Sequence, residues 1–204
     1  MTHLLLVRHG ETVWHAENRY AGVSDIALAP DGIEQAQRLA RWAPHAKISA
    51  LWVSPLSRAI ATAEPSARAL QLTPKIDPRL REIDFGRAEG KTLAELEKGF
   101  PAEAKAFKAD PVAHPFPGGE NPHDAARRVV DCFHEIARQH PDQHVLVVAH
   151  NTLIRLGLCQ LLGIPMGTYR TVFPSVRNGA LTEIRLKDGK AALLQFNAPL
   201  TPAA

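Results

Sequence analysis

The chain is predicted to adopt an α/β fold, a three-layer α/β/α sandwich around a mostly parallel central sheet. Three short apolar runs lead to it: residues 3–7 (HLLLV), 50–53 (ALWV) and 144–149 (HVLVVA). Each lacks the polar alternation of a half-exposed strand, as expected for strands covered by helices on both faces. Each is also followed by polar residues and then by a helical pattern, and strand alternating with helix winds a parallel sheet through right-handed crossovers. With 204 residues, 45% of them hydrophobic and 22% charged, residues 1–204 form one globular domain with a sizeable core.

The first helix is expected over 31–43, with Ile33, Ala36, Leu39 and Ala40 on its buried face. The second covers 57–70, with Ser57 as its N-cap and a kink near Ala61, because Pro65 removes a backbone hydrogen bond. Residues 84–120 hold many Gly and Pro residues around two short helical pieces, 92–99 and 101–109. They read as a lid-like excursion from the core. Asn121-Pro122 is a cap followed by proline at the first helical position, opening a helix over 122–139. A fourth helix spans 151–162. Segments 180–186 and 191–196, separated by Lys187-Asp188-Gly189-Lys190, form a hairpin, and the tail after Asn197 is expected to fray.

A formal charge of +3 and a pI near 9.0 suit small anionic ligands. They do not suggest nucleic acid, since Lys and Arg form no run and aromatics do not interleave with them. Cys132 and Cys159 lie in apolar periodic segments and read as buried free thiols in a reducing cytoplasm. The start MTHLLLVRHGET is apolar for only a few residues, which supports neither a signal peptide nor a membrane span, so a cytoplasmic location is expected. No apolar stripe stands out from the core pattern to indicate an oligomeric state.

The chemistry is concentrated at strand ends. His9 follows the first apolar run within Val7-Arg8-His9-Gly10-Glu11-Thr12-Val13, Arg58 follows the second by a few residues, and His150 ends the third. Ligands of open α/β sheets bind at the carboxyl ends of strands, so about 140 residues of separation are compatible with one site. An imidazole there can attack phosphorus and carry the phosphoryl group covalently while cations hold the oxygens. Arg58 in a first helical turn opposes the helix dipole by roughly 0.3–1 kcal/mol, a mismatch that a bound anion removes. Asn151-Thr152 opens another helix whose free N–H groups face an anion. A leaving alkoxide needs a proton. Glu82 is the first candidate to supply it, as a carboxyl in an apolar, anion-binding pocket; Asp84 is second and Glu11 third. Arg19, Arg87 and Lys91 are candidates for a substrate's second anionic group. His3, His45, His114, His123, His134, His140 and His144 read as surface or core residues, with no metal-ligand spacing among them.

Five stretches in order, LLLVRHGETVW, SPLSRAIATAEP, LREIDFG, PGGE and VVAHNTLIR, together with Gly22, Asp25, Gly32 and Gln35-Ala36, make the chain resemble the histidine phosphatase superfamily. The similarity is to its phosphoglycerate mutase-like branch, which includes broad small-molecule phosphatases. This resemblance implies a phosphoglycerate mutase-like fold and hydrolysis of a small phosphomonoester through a phosphohistidine on His9. Arg8 and Arg58 would clamp the phosphoryl oxygens, His150 would donate to them, and Glu82 would be general acid and then general base. Thr12, His15, Gly22 and Asn151 join the phosphate- and substrate-binding set. No metal or other cofactor is implied, and the partners are a small phosphorylated metabolite and inorganic phosphate.

The alternatives are a cofactor-dependent phosphoglycerate mutase and a noncatalytic phosphate-binding protein of the same fold. Family mutases are generally longer and carry Asn-Glu-Arg-His-Tyr around the acid, where this chain has Arg81-Glu82-Ile83-Asp84-Phe85. The chain also departs from the family pattern at His15 (usually Asn), Ala21 (usually Gln), Ala88 (commonly aromatic) and Asn121 (Ser). These departures lie at the expected pocket rim and bear on which substrate is accepted.

Overall fold

The computed structural model describes residues 1–200. One six-stranded sheet holds β1 (Thr2–Arg8), β2 (Ile48–Val53), β3 (Lys75–Ile76), β4 (His144–Ala149), β5 (Leu181–Lys187) and β6 (Lys190–Ala198), in the order β3-β2-β4-β1-β5-β6. The pairs β1–β4, β2–β4 and β2–β3 are parallel, whereas β1–β5 and β5–β6 are antiparallel. The helices are α1 (Pro30–Trp42), α2 (Ser57–Leu70), α3 (Leu93–Gly99), α4 (Pro101–Ala109), α5 (Pro122–Gln139), α6 (Asn151–Leu162) and α7 (Tyr169–Val172).

The apolar runs are buried on both faces because successive side chains alternate between two cores. Leu4, Leu6, Val145 and Val147 pack toward α5 and α6. Leu5, Val7, Leu146 and Val148 pack toward α1 and α2. A third, smaller core belongs to the excursion, where Leu96, Phe107 and Phe116 pack with Tyr20, Phe85 and Phe100.

Several expectations need correction. Ile33 is 54% exposed; the buried face of α1 is Gly32, Gln35, Ala36, Leu39 and Ala40, because Gly32 turns that face onto the Glu11 backbone. The N-cap of α2 is Leu56, with Ser57 already helical. Asp25 supplies the missing cap by accepting the Ser57 N–H at 2.9 Å. The helix continues through Pro65, which offers no N–H to the Ala61 carbonyl. The hairpin is present and adds to the sheet beside β1. Its turn residues Asp188 and Gly189 both have positive φ, 49° and 75°, as a two-residue turn of matching twist requires. The tail does not fray at Asn197: β6 runs to Ala198 and Leu200 packs against the α1/α2 core, while residues 201–204 lie outside the described residues. Both cysteines are free and buried, and burial pushes the Cys132 thiol up to about 12. No helix among the described residues is long and apolar enough to cross a membrane.

Candidate active site

Sheet register brings the site together. Arg8 pairs with Ala149 and Val53 with Val148, so the residues that follow, His9, His150 and Ser54, emerge side by side at the carboxyl edge. The His9 N–H donates to the Ala149 carbonyl (3.0 Å) and the Ser54 N–H to the Val148 carbonyl (3.1 Å), extending both ladders one residue into the site. The His9 and His150 ring centroids are 5.1 Å apart.

The loop after β1 turns tightly because Gly10 and Gly32 touch backbone to backbone. A Cβ on Gly10 would lie 2.9 Å from the Gly32 Cα. The turn is pinned by the Gly10 N–H donating to Thr62 Oγ1 (2.9 Å) and by Gln35 bonding both the Glu11 N–H (2.8 Å) and its carboxylate (3.0 Å). Glu11 is therefore engaged by α1, off the wall of the pocket in front of His9.

His9 is 4% exposed, and its Nδ1 lies 2.7 Å from the Gly10 carbonyl. A carbonyl only accepts, so Nδ1 carries the proton and Nε2 keeps a free lone pair. Burial, then the charges of Arg8 and Arg58, hold the imidazole well below its usual range, so it stays neutral and nucleophilic.

The pocket in front of His9 encloses about 200 Å³ and is lined by Arg8, Thr12, His15, Tyr20, Glu82, Asn151, Arg155 and Arg170, among others. Arg8 donates to the Val176 carbonyl (2.6 Å) and toward His15 Nε2 (2.7 Å), and burial lowers it to about 10. His15 Nδ1 lies 2.9 Å from Thr12 Oγ1. The same Nδ1 accepts the Thr12 N–H at 3.0 Å, and the Asn178 amide nitrogen lies 3.2 Å from Nε2, so His15 is fixed from both sides beside Arg8 on the pocket wall.

Glu82 sits at the start of α6. Its Oε1 accepts the Ile83 and Leu153 N–H groups and its Oε2 the Thr152 N–H, all at 2.9 Å. The surroundings are thus polar rather than apolar, and two N–H groups expected to face an anion are taken by this carboxylate. Oε2 still has a lone pair available for a proton. Asp84 lies outside this pocket, where its Oδ1 accepts the Gly86 N–H (2.7 Å) in a local turn.

Arg58 and His150 are fully buried and lie behind the open pocket rather than on its wall. Arg58 donates to the carbonyls of Ser24 (2.8 Å), Gly22 (2.6 Å) and Ala21 (3.3 Å), leaving Nε without a partner. Gly22 accordingly holds Arg58 and does not face the ligand space. Its own N–H goes to Glu89, which also accepts from Val23, Ser24 and Phe85. His150 Nε2 lies 2.6 Å from Ser54 Oγ, and its Nδ1 has no partner. Asn151 reaches the pocket wall with Oδ1 unpaired.

Sequence reasoning missed Ser54, Arg155, Arg170 and Asn178, whose amide donates to the His9 carbonyl at 2.8 Å. Arg155 was the most findable: it stands one turn after Asn151 in the otherwise apolar helix NTLIRLGLCQLL, where a buried arginine calls for a reason. Among the cations expected to reach a second anion, Arg19 lines the pocket but is bound by Glu17 and Glu95. Arg87 pairs with Glu103 away from the pocket, and Lys91 is not on its wall.

The sequence profile of the histidine phosphatase superfamily (branch 1) matches residues 4–199. The chain belongs to the histidine phosphatase superfamily. This histidine phosphatase is 29% identical to phosphoserine phosphatase 1 of Hydrogenobacter thermophilus over 197 residues, covering 97% of this chain and 92% of that one. Its fold matches YhfR of Bacillus stearothermophilus with a TM-score of 0.91 at 28% identity, over 98% of each chain. It matches mycobacterial glucosyl-3-phosphoglycerate phosphatase, solved with VO3, at 0.88 and 28% identity, over 97% of this chain and 99% of that one. The phosphoglycerate mutase-like architecture and the metal-independent phosphatase class of this histidine phosphatase follow from these matches.

Proposed function

We propose that the protein hydrolyses small phosphomonoesters through a phosphohistidine on His9. The observation that carries this is the His9 tautomer: Nδ1–H is committed to the Gly10 carbonyl, and Nε2 is free beside a cationic pocket containing one carboxylate. The phosphate docks against Arg8, with Arg58 adding charge from behind and His150 donating its Nδ1–H. Nε2 of His9 attacks phosphorus as the bond to the leaving oxygen breaks, and the proton on Glu82 Oε2 passes to that oxygen. In the second half a water attacks the phosphohistidine, Glu82 takes its proton, and phosphate leaves with His9 neutral again. Thr12 and Asn151 border the phosphate, and the protein works in the reducing cytoplasm, where the Cys132 and Cys159 thiols remain free.

The test is phosphate release from a panel of phosphomonoesters with EDTA present, wild type against His9→Ala. Turnover in the wild type, lost in a variant with an unchanged circular dichroism spectrum, supports the reading. Equal turnover by both proteins would sink it.

A further inference from the structure

Two cations on the pocket wall have no role in the phosphoryl transfer just described. Arg155 donates Nε to the Asn151 carbonyl (3.2 Å) and Nη1 to the Phe173 carbonyl (3.3 Å). Arg170 donates, among the described residues, only its Nε, to the Tyr169 hydroxyl at 3.0 Å. Among the described residues no carboxylate forms an ion pair with either arginine. The Arg170 guanidinium lies 4.7 Å over the Phe107 ring and 5.6 Å from that of Tyr169, and Arg155 lies 4.8 Å from the same tyrosine ring. Phe107 belongs to α4 and is 3% exposed, so the excursion holds this guanidinium in place. A guanidinium stacked on its face presents its remaining N–H groups edge-on, in the fork that matches a planar anion.

Resting on the phosphatase reading, we propose that Arg170, supported by Arg155, binds a carboxylate of the substrate, so that the preferred substrates are short phosphomonoesters of hydroxy or amino acids. The phosphate end is already served by Arg8 and Arg58, which leaves these two positive charges for a second anionic group. A pocket of about 200 Å³ is small for a ligand site, which favours a carboxylate on a short carbon chain over a second phosphate.

The test compares substrates that differ only in the carboxylate: O-phosphoserine with phosphoethanolamine, and 3-phosphoglycerate with glycerol 3-phosphate. Wild type should favour the carboxylated member of each pair in kcat/KM. Arg170→Ala should reduce that ratio by about 10- to 100-fold, the size of a charge-assisted hydrogen bond, and Arg170→Lys should restore part of it. Arg87→Ala, outside the pocket, should leave the ratio unchanged. Absence of a preference in wild type, or a preference that survives Arg170→Ala, overturns the proposal, as does a bisphosphate preferred over both carboxylated esters. Calorimetric binding of 3-phosphoglycerate and glycerol 3-phosphate to His9→Ala, with and without Arg170→Ala, reads the subsite without turnover. Tighter binding of 3-phosphoglycerate that depends on Arg170, in a protein whose wild type hydrolyses nothing, would keep the subsite and discard the hydrolytic reading. Equal binding of the two compounds would discard the subsite.

Discussion

Arg8 Nη2 lies 2.7 Å from His15 Nε2, so a guanidinium and an imidazole are in direct contact on the wall of the pocket in front of His9. Protonated His15 would set a second positive charge, with N–H groups on both ring nitrogens, against Arg8 and push it away. Burial and the charge of Arg8 lower the His15 pKa, which delays that event to acidic pH. We therefore expect kcat/KM to have an acid limb that shifts or disappears in His15→Asn, because an amide can accept from Arg8 without titrating. A pH–rate profile checks this, and an unchanged acid limb in the variant would assign it to another group.

Stability should follow the same sign. His9, His15 and His150 are all depressed from 6.5, so the unfolded chain binds more protons than the folded one as pH falls through that value. Their contribution is fully present above about pH 6.5 and is lost progressively below it. Lowered carboxylates such as Glu120 act only below their ordinary 4.5, so a fall in urea midpoint between pH 7.5 and 5 reports the histidines. His9→Ala should flatten that fall, and a flat wild-type profile would contradict neutral imidazoles at the buried His9 and His150 and the half-buried His15.

Glu82→Gln tests both the proton donor and the helix start. General acid catalysis of this kind contributes about 10²–10⁴-fold, so loss should be large on alkyl phosphates and small on p-nitrophenyl phosphate. The amide also has one oxygen where the carboxylate uses two. One side of it must place an NH2 against a backbone N–H of Thr152 or of Ile83 and Leu153, costing about 1–3 kcal/mol. Urea unfolding beside the two rate measurements separates the effects; equal loss on both substrates argues against the acid role.

Ser54 is predicted to be a positioning residue. Its hydroxyl donating to His150 Nε2 leaves the proton on Nδ1, the atom that has no protein partner. Ser54→Ala frees the tautomer and should lower kcat by about 10-fold with KM little changed, since one buried hydrogen bond is worth about 1–1.5 kcal/mol. Ser54→Thr should recover most of the rate. A loss confined to stability, with kcat intact, would reduce Ser54 to a packing role.

What could be read from sequence tracks how local each cause is. Strands β1, β2 and β4 announce themselves because burial on both faces leaves Leu4-Leu5-Leu6-Val7, Leu51-Trp52-Val53 and Val145-Leu146-Val147-Val148-Ala149 wholly apolar, and the carboxyl ends of β1 and β4 place His9 and His150 without further information. The edge strand β3 gives no such signal: it is two residues long, both exposed. Likewise, Leu56 as the cap of α2 depends on Asp25 arriving from 32 residues away. Arg58 was placed at the right edge of the sheet, yet its side chain turns to loop carbonyls that only the folded 21–24 segment presents. Arg170 was invisible because its setting is assembled from Tyr169 and Phe107, which belong to different helices.

Glu89 is where these long-range dependencies meet. Its carboxylate accepts from the N–H groups of Gly22 (3.1 Å), Val23 (3.2 Å) and Phe85 (3.1 Å) and from the Ser24 hydroxyl (2.6 Å). The same loop directs the Gly22 and Ser24 carbonyls at Arg58. The Ser24 N–H also donates to the Glu89 carboxylate at 3.4 Å, so removing that carboxylate strands five donors at once and Glu89→Ala should cost about 2–4 kcal/mol. It should also lower kcat, because Arg58 loses the carbonyls that hold it behind His9. Glu89→Gln keeps one acceptor oxygen and should fall between. Gly22→Ala probes the loop from the other side, since a Cβ there would strike the Glu89 carboxylate and the Ile83 carbonyl. If urea unfolding shows the cost while kcat stays at the wild-type value in all three variants, Arg58 does not depend on this loop for its catalytic position.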